Sequence, residues 1–287
     1  MATNLLWSAP AKLNLFLHIT GRRDDGYHLL QSVFQFVDFS DELQFNIRTD
    51  GEIHRINNVP GVAEQDDLII RAAKCLQQKT STSQGADIQL NKKLPIGGGV
   101  GGGSSDAATT LVALNHLWQT GLDLNQLAAL GLNLGTDVPV FIYGNAAFAE
   151  GVGEKLEAIN LPEPWFLVIK PPVHVSTAEI FNDPQLTRNS SAIRICDLQT
   201  GAIGIDELSN VCEPVATQHY PEIAEVIEYL KQHGKARMTG TGACVFSQFE
   251  TQAEAQTVLE GLPEKWSGFV AKGMNQSPLH KYLLELS

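Results

Sequence analysis

The sequence predicts an α+β protein of two domains, and three observations carry that expectation. The chain has 287 residues, more than the roughly 100–200 of one ordinary domain. Its first half mixes period-two and 3.6-residue hydrophobic segments around a run, 97–103, in which six of seven residues are glycine. From Trp165 onward the pattern reads strand, helix, strand, helix, strand, as in a split βαβ unit. Leu161-Pro162-Glu163-Pro164 reads as a linker between the two patterns, which sets the domains at 1–158 and 159–287.

Residues 11–19, AKLNLFLHI, alternate: Leu13, Leu15, Leu17 and Ile19 face one way, Lys12, Asn14, Phe16 and His18 the other. That is the signature of a half-buried strand. Segments 33–37 and 42–48 repeat it, with Leu43, Phe45 and Ile47 on one face. From Asp67 the period becomes helical (Leu68, Ile69, Ala72, Leu76) behind an acidic start. ADIQLNKKL returns to strand. The glycine run leads directly into a helix with Ala107, Leu111, Leu114 and Trp118 as its stripe. A second helix over 125–134 ends in Gly135-Thr136-Asp137-Val138-Pro139. Pro139 disfavours helix at Val138, so VFIY is expected to be strand, as is AAFAE.

Beyond the linker, WFLVIK reads as a buried strand, 176–182 as a short helix and 183–206 as irregular. PEIAEVIEYLKQH is amphipathic on Ile223, Val226, Ile227 and Leu230. Met238-Thr239-Gly240-Thr241-Gly242-Ala243 is a second glycine turn and enters the strand ACVFSQF. Helix TQAEAQTVLEGL and strand SGFVAK complete what is expected to be a ferredoxin-like domain. No internal repeat is present.

Composition excludes several classes. Lys and Arg number 20 against 32 Asp and Glu, a net charge of −12, so the chain lacks the basic field of a nucleic-acid binder. No stretch reaches the ~20 apolar residues of a membrane span. The apolar start has no basic leader and carries Lys12, so no signal peptide is expected. Cys75, Cys196, Cys212 and Cys244 form no CxxC pair. They are expected to be reduced, mostly buried thiols of a cytoplasmic protein. No HExxH or His/Cys cluster suggests a metal site.

Six glycines in seven positions are costly in regular structure. Placed before a helix, they let free N–H groups and the positive helix end converge on a phosphate. Ser104 and Ser105 add hydroxyls there. Three common kinds of phosphate site do not fit. Gly97-x-Gly99-x-x-Gly102 matches a dinucleotide fingerprint in letters, yet Asp123, about 20 residues on, follows a helix and a turn instead of a strand. No GK[ST] closes a Walker A loop, and HRD and DFG are missing.

Pro95-x-Gly-Gly-Gly-Val-Gly-Gly-Gly-Ser-Ser resembles the phosphate loop of the GHMP small-molecule kinases. The family's other two motifs resemble Ala9-Pro10-Ala11-Lys12-Leu13-Asn14-Leu15 and Thr239-Gly240-Thr241-Gly242-Ala243. Gly21-Arg22-Arg23-Asp24-Asp25-Gly26-Tyr27-His28 and Gly135-Thr136-Asp137-Val138-Pro139-Val140-Phe141 narrow the likeness to members acting on a cytidine-diphosphate sugar alcohol in non-mevalonate isoprenoid synthesis. Val100, Asp106 and Asp67 depart from the pattern, standing where members usually or sometimes have Leu, Asn and Asn.

The resemblance implies a ribosomal-protein-S5-like N-terminal domain, a ferredoxin-like C-terminal domain and a site in the cleft between them. It implies ATP, with Mg²⁺ held mostly by phosphate and water, bound by Pro95, Ile96, Gly97, Gly98, Gly99, Val100, Gly101, Gly102, Gly103, Ser104 and Ser105, with Leu68 and Lys92. It places Asn14, Tyr27, His28, Thr177, Phe181, Gly240 and Thr241 at the substrate, with Phe181 stacking on the base. Asp137 is then the base and Lys12 its cationic partner; from the residues alone, Asp137 reads as a capping acid and Lys12 as one side of an exposed strand face. The other readings are a homoserine- or mevalonate-type kinase of the same family and a non-catalytic nucleotide-binding module. A monomer or weak homodimer is expected, with no nucleic-acid or membrane partner.

Overall fold

A computed structural model of the chain describes residues 5–57 and 66–280. Its first half comprises β1 (Trp7–Arg22), β2 (His28–Arg48), β3 (Ile53–Arg55), α1 (Leu68–Thr80), β4 (Gly85–Asn91), α2 (Gly102–Leu117), α3 (Leu124–Leu132), α4 (Val138–Tyr143), β5 (Ala147–Glu150) and β6 (Lys155–Ala158). The second half comprises β7 (Trp165–Lys170), α5 (Thr177–Asn182), α6 (Ile195–Gln199), α7 (Glu213–His219), α8 (Pro221–Lys231), β8 (Ala236–Met238), β9 (Val245–Phe249), α9 (Gln252–Glu260) and β10 (Ser267–Met274).

β2 is the hub of the sheet. It pairs antiparallel with β1 along its length, with β4 over 42–48, with β5 over 32–34 and with β10 at 36–37. In the second half β10, β7, β9 and β8 lie side by side, every pair antiparallel. With α8 and α9 as crossovers this is βαββαβ, the ferredoxin-like arrangement. Because β10 pairs with both β7 and β2, one sheet runs through both halves.

Three cores hold the layers together. One joins the first-half sheet to α1, α2, α3 and α4 through Trp7, Phe36, Leu76, Leu111 and Phe141. A second packs β7 and β9 against α8 through Leu167, Ile169, Val245, Ile223 and Leu230. The third draws on both halves, with Leu13, Phe16 and Val33 meeting Phe166, Val168 and Phe246.

Several elements differ from the sequence expectation. β1 is buried on both sides, Lys12 and Asn14 included, because it lies inside the third core instead of on a surface. Its register shifts between Asn14 and Leu17, and a bulge there breaks strict alternation. Phe16 therefore joins Leu13 and Leu15, while Leu17 and Ile19 turn to the second core. Segments 33–37 and 42–48 are one strand, β2. VFIY is not a strand but part of α4, and Pro139 sits in that helix's first turn, where a missing N–H costs nothing. β8 has three residues, too few to show a period. A short helix, α6, and the start of a 3-10 turn at Ile205–Glu207 interrupt the otherwise irregular 183–206.

Candidate active site

The glycine run is held by its carbonyl groups. Val100 O accepts from Lys12 N at 2.9 Å, Gly98 O from Cys244 N at 3.0 Å, and Gly99 O from Thr239 Oγ1 at 3.2 Å. Gly97, Gly99 and Gly101 have φ of +67°, +75° and +75°, alternating with ordinary residues. Alternation of that kind is the backbone geometry in which successive N–H groups can converge as a nest. Side chains are excluded for a second reason. A Cβ on Gly99 would lie 2.3 Å from Thr239 O, and one on Gly101 2.8 Å from the Phe141 ring. The run ends inside α2, whose first residue is Gly102, so the helix N-terminus opens directly on the loop.

Residues 95–104 line a cavity of about 340 Å³ together with Leu68, Lys92, Asp67 and Arg55. Ser105, one residue further, is fully buried, and its Oγ has no hydrogen-bond partner. Asp67 is the N-cap of α1: its Oδ1 accepts from Ile69 N at 2.9 Å and its Oδ2 lies 2.8 Å from Arg55 Nε. The expected acidic helix start is thus a capping residue in the cavity wall.

Lys92 is gripped by two acids. Its Nζ lies 2.6 Å from Asp41 Oδ2 and 2.7 Å from Asp106 Oδ2. The other Asp41 oxygen accepts from Lys93 N at 2.5 Å and Leu94 N at 2.7 Å, fixing the chain as it enters the loop. Burial pushes the Asp106 carboxyl up to about 7; Lys92 opposes the rise and Asp41 adds to it. Burial alone would lower the Lys92 ammonium, but the two aspartates offset that and raise it. Neither Asp41 nor its bonds to the loop root carried a signal in the sequence.

At the inner end of the loop Lys12 Nζ meets Asp137 Oδ2 at 3.1 Å, Asn14 Oδ1 at 2.6 Å and Gly99 O at 3.2 Å. Those three partners match the three N–H groups of an ammonium. Lys12 is 3% exposed and Asp137 31%, so the pair joins the interior to an open cleft. Asp137 is the residue before α4, yet its side chain makes no capping bond; the capping role expected from the residues alone is not what occupies it. Asn14 is buried, its amide donating to Ser32 Oγ at 2.9 Å and its backbone N–H to Thr239 Oγ1 at 2.9 Å. The amide faces protein groups and supports Lys12 from behind.

The second glycine turn closes over the loop. Gly240, at φ +59°, is so near that a Cβ would lie 3.2 Å from Gly99 O. Asn210, which sequence reasoning missed, holds the turn by donating to Met238 O at 2.8 Å and Gly240 O at 2.7 Å. Thr241 and Thr177 share a hydroxyl hydrogen bond of 3.0 Å, linking the turn to α5.

Tyr27, His28, Thr177 and Phe181 line a second cavity of about 440 Å³ with Asp25, Gly26 and Thr136. Thr136 precedes Asp137, so this cavity adjoins the Lys12–Asp137 pair. Tyr27 is 59% exposed, an aromatic ring left open at the cavity mouth. The rings of His28 and Phe181 stack, with centroids 5.1 Å apart and planes at 22°. Burial lowers the His28 pKa, and Arg188 and Arg22 lower it further.

Among the described residues the cysteines are free: Cys212 and Cys244 are buried, Cys75 is half-buried and Cys196 is exposed. No group of three or more His, Cys, Asp or Glu among them could hold a metal ion, and no helix among them is long and apolar enough to cross a membrane.

A glycine-rich loop at a helix start, beside an acid–cation pair and an aromatic cavity, is the arrangement of a small-molecule phosphotransferase. Residues 67–145 match the family GHMP kinases N terminal domain and 193–268 match GHMP kinases C terminal. The chain belongs to the GHMP kinases. It is 56% identical to the 4-diphosphocytidyl-2-C-methyl-D-erythritol kinase of Nitrosococcus oceani, the match covering 96% of each chain. It is 53% identical to the kinase of the same name from Halorhodospira halophila, over 98% of this chain and 96% of that one. A crystal structure of 4-(cytidine 5'-diphospho)-2C-methyl-D-erythritol kinase superimposes with a TM-score of 0.82 at 29% identity, covering 94% of this chain and 99% of the other.

Proposed function

We propose that this chain is an ATP-dependent kinase that phosphorylates the 2-hydroxyl of 4-diphosphocytidyl-2-C-methyl-D-erythritol, giving the 2-phosphate and ADP, in isoprenoid precursor synthesis. The observation that carries the reading is the position of the Lys12–Asp137 pair, at the inner end of the glycine loop and beside the Tyr27–His28–Phe181 cavity. Residues 1–158 supply the nucleotide side together with Tyr27 and His28, and 159–287 supply Thr177, Phe181 and the Gly240–Thr241 turn on the substrate side. The enzyme works in the cytoplasm.

The loop's N–H groups hold the triphosphate, with Leu68 and Lys92 in the same wall. Tyr27, His28, Thr177 and Phe181 take the cytidine end, and Gly240 and Thr241 approach from the second half. Asp137 accepts the hydroxyl proton. When it does so its charge is lost, and the Lys12 donor aimed at it can turn to the oxygen entering phosphorus. Phosphoryl transfer is generally loose, so the pair acts more by orientation than by early deprotonation. Mg²⁺ accompanies ATP, bound by phosphate and water. The Ser105 Oγ, which has no hydrogen-bond partner, is an oxygen ligand of the kind that ion accepts.

A coupled ADP-release assay tests the reading. Turnover is expected with the cytidine-diphosphate alcohol and not with homoserine or mevalonate. Phe181→Ala should raise KM for that alcohol by roughly tenfold or more, the worth of a base–aromatic stack, and leave KM for ATP unchanged. Turnover of homoserine or mevalonate instead would replace this reading with another member of the family.

A further inference from the structure

Arg188 lies outside every motif and contacts the aromatic cavity from behind. Its Nε donates to His28 Nε2 at 3.1 Å. Its two terminal nitrogens are also committed: Nη1 donates to Leu186 O at 3.0 Å, and Nη2 to Phe181 O at 2.9 Å and Asp183 O at 2.7 Å. One guanidinium thus holds the imidazole and the backbone of the aromatic residue stacked on it.

We propose that Arg188 is a positioning residue that fixes His28 as the neutral tautomer protonated on Nδ1, so that the cavity offers the substrate's base a hydrogen-bond donor of defined identity. The inference rests on the reading that this cavity takes the cytidine end. Its chemistry is short. A guanidinium has five donors and no acceptor, so the imidazole nitrogen it approaches must present its lone pair. With Nε2 deprotonated, the remaining ring proton is on Nδ1. Protonating Nε2 would set an N–H against an N–H, beside the further positive charge of Arg22.

The tautomer matters because cytosine and uracil differ at one edge. Cytosine N3 accepts a hydrogen bond, whereas uracil N3 carries a proton and donates. An Nδ1–H donor suits the first and opposes the second; the opposite tautomer would present an acceptor there and invert the preference. A site built to pair a polar edge rejects the mismatch by leaving buried groups unpaired. Phe181 supplies stacking that any base can use, so discrimination falls to a group whose protonation is fixed before the substrate arrives.

Two measurements on the full-length protein test this. Long-range ¹H–¹⁵N spectra of histidine-labelled protein at neutral pH, without substrate, should show His28 with a protonated Nδ1 and an unprotonated Nε2. Arg188→Gln, whose amide can also accept, should show mixed tautomers. The same variant should lower the ratio of kcat/KM for the cytidine over the uridine alcohol by roughly tenfold, one hydrogen bond's worth, with KM for ATP unchanged. Arg188→Lys keeps a donor and a charge and should hold the ratio within about threefold. A wild-type His28 protonated on Nε2 overturns the proposal. So does a folded Arg188→Gln protein with the wild-type ratio. The spectrum needs no substrate, so failure of the cytidine compound to turn over would instead count against the functional reading.

Discussion

Asp106 offers a test of how the loop root is held. It is buried in the first turns of α2, where it shares Lys92 with Asp41, itself fully buried. Two carboxylates on one ammonium leave a surplus negative charge away from water, and burial, opposed by Lys92 and aided by Asp41, pushes the Asp106 carboxyl from 3.8 to about 7. The folded protein therefore binds this proton more tightly than the unfolded chain does. A carboxyl with a raised folded pKa contributes stability that is full below the unfolded value and is lost as pH rises through the folded one. Between pH 5 and pH 8 nearly two pH units fall in the window where only the folded state holds the proton. At about 1.4 kcal/mol per unit the loss is roughly 2–3 kcal/mol. Asp106→Asn keeps the shape and abolishes the titration. Urea unfolding of wild type and variant at both pH values isolates the effect, since every other titrating group is common to the two. The variant should gain roughly 2–3 kcal/mol on the wild type between pH 5 and pH 8. A relative change under about 0.5 kcal/mol, the scatter of a substitution with no special role, would refute the burial of an uncompensated charge at this site.

Two further outcomes follow from the same geometry. Lys12→Ala and Asp137→Asn should each lower kcat by roughly 10²-fold or more. The double variant should lose far less than the product because the 3.1 Å pair works as one unit; multiplicative losses in a steady-state assay would show independent roles. Gly101→Val places a branched side chain at φ +75°, against the Phe141 ring and Lys12 Cε, so ATP affinity by calorimetry should fall at least about tenfold. Wild-type affinity in a folded variant would remove the loop from the nucleotide site.

Much of the fold was legible because its signals are local. α1, α3 and α9 begin at Asp67, Asp123 and Thr251, whose side chains cap the first turn, and the apolar spacing of α8 follows the helical period. The glycine run was legible because such a composition has few structural uses. What escaped depends on contacts distant in sequence. VFIY is too short for its period to separate strand from helix. The β1 bulge follows from pairing with β2. Asp41, Asn210 and Arg188 are lone polar residues: the first two bind backbone groups far along the chain, and Arg188 reaches the distant His28 ring.

The sharpest case is the sorting of three aspartates that look alike in sequence. Asp67, Asp123 and Asp137 each stand just before a helix. Asp67 and Asp123 have extended backbones, with ψ of 112° and 170°, and that geometry lets the carboxylate reach back to the helix's free N–H groups. Both are consumed as caps. Asp137 is already helical at φ −85° and ψ −13°, because the turn from Gly135 closes early, with Val138 N donating to Gly135 O at 3.1 Å. Its carboxylate makes no capping bond and projects instead to Lys12. One backbone torsion thus separates a capping acid from an uncapped one, and Pro139 assists because the second residue of α4 then has no N–H to cap. Candidate acids at helix starts are therefore better distinguished by the backbone angles of the preceding residue than by residue type. By that criterion Asp137 is the acid not used as a cap among the three, and its carboxylate pairs with Lys12.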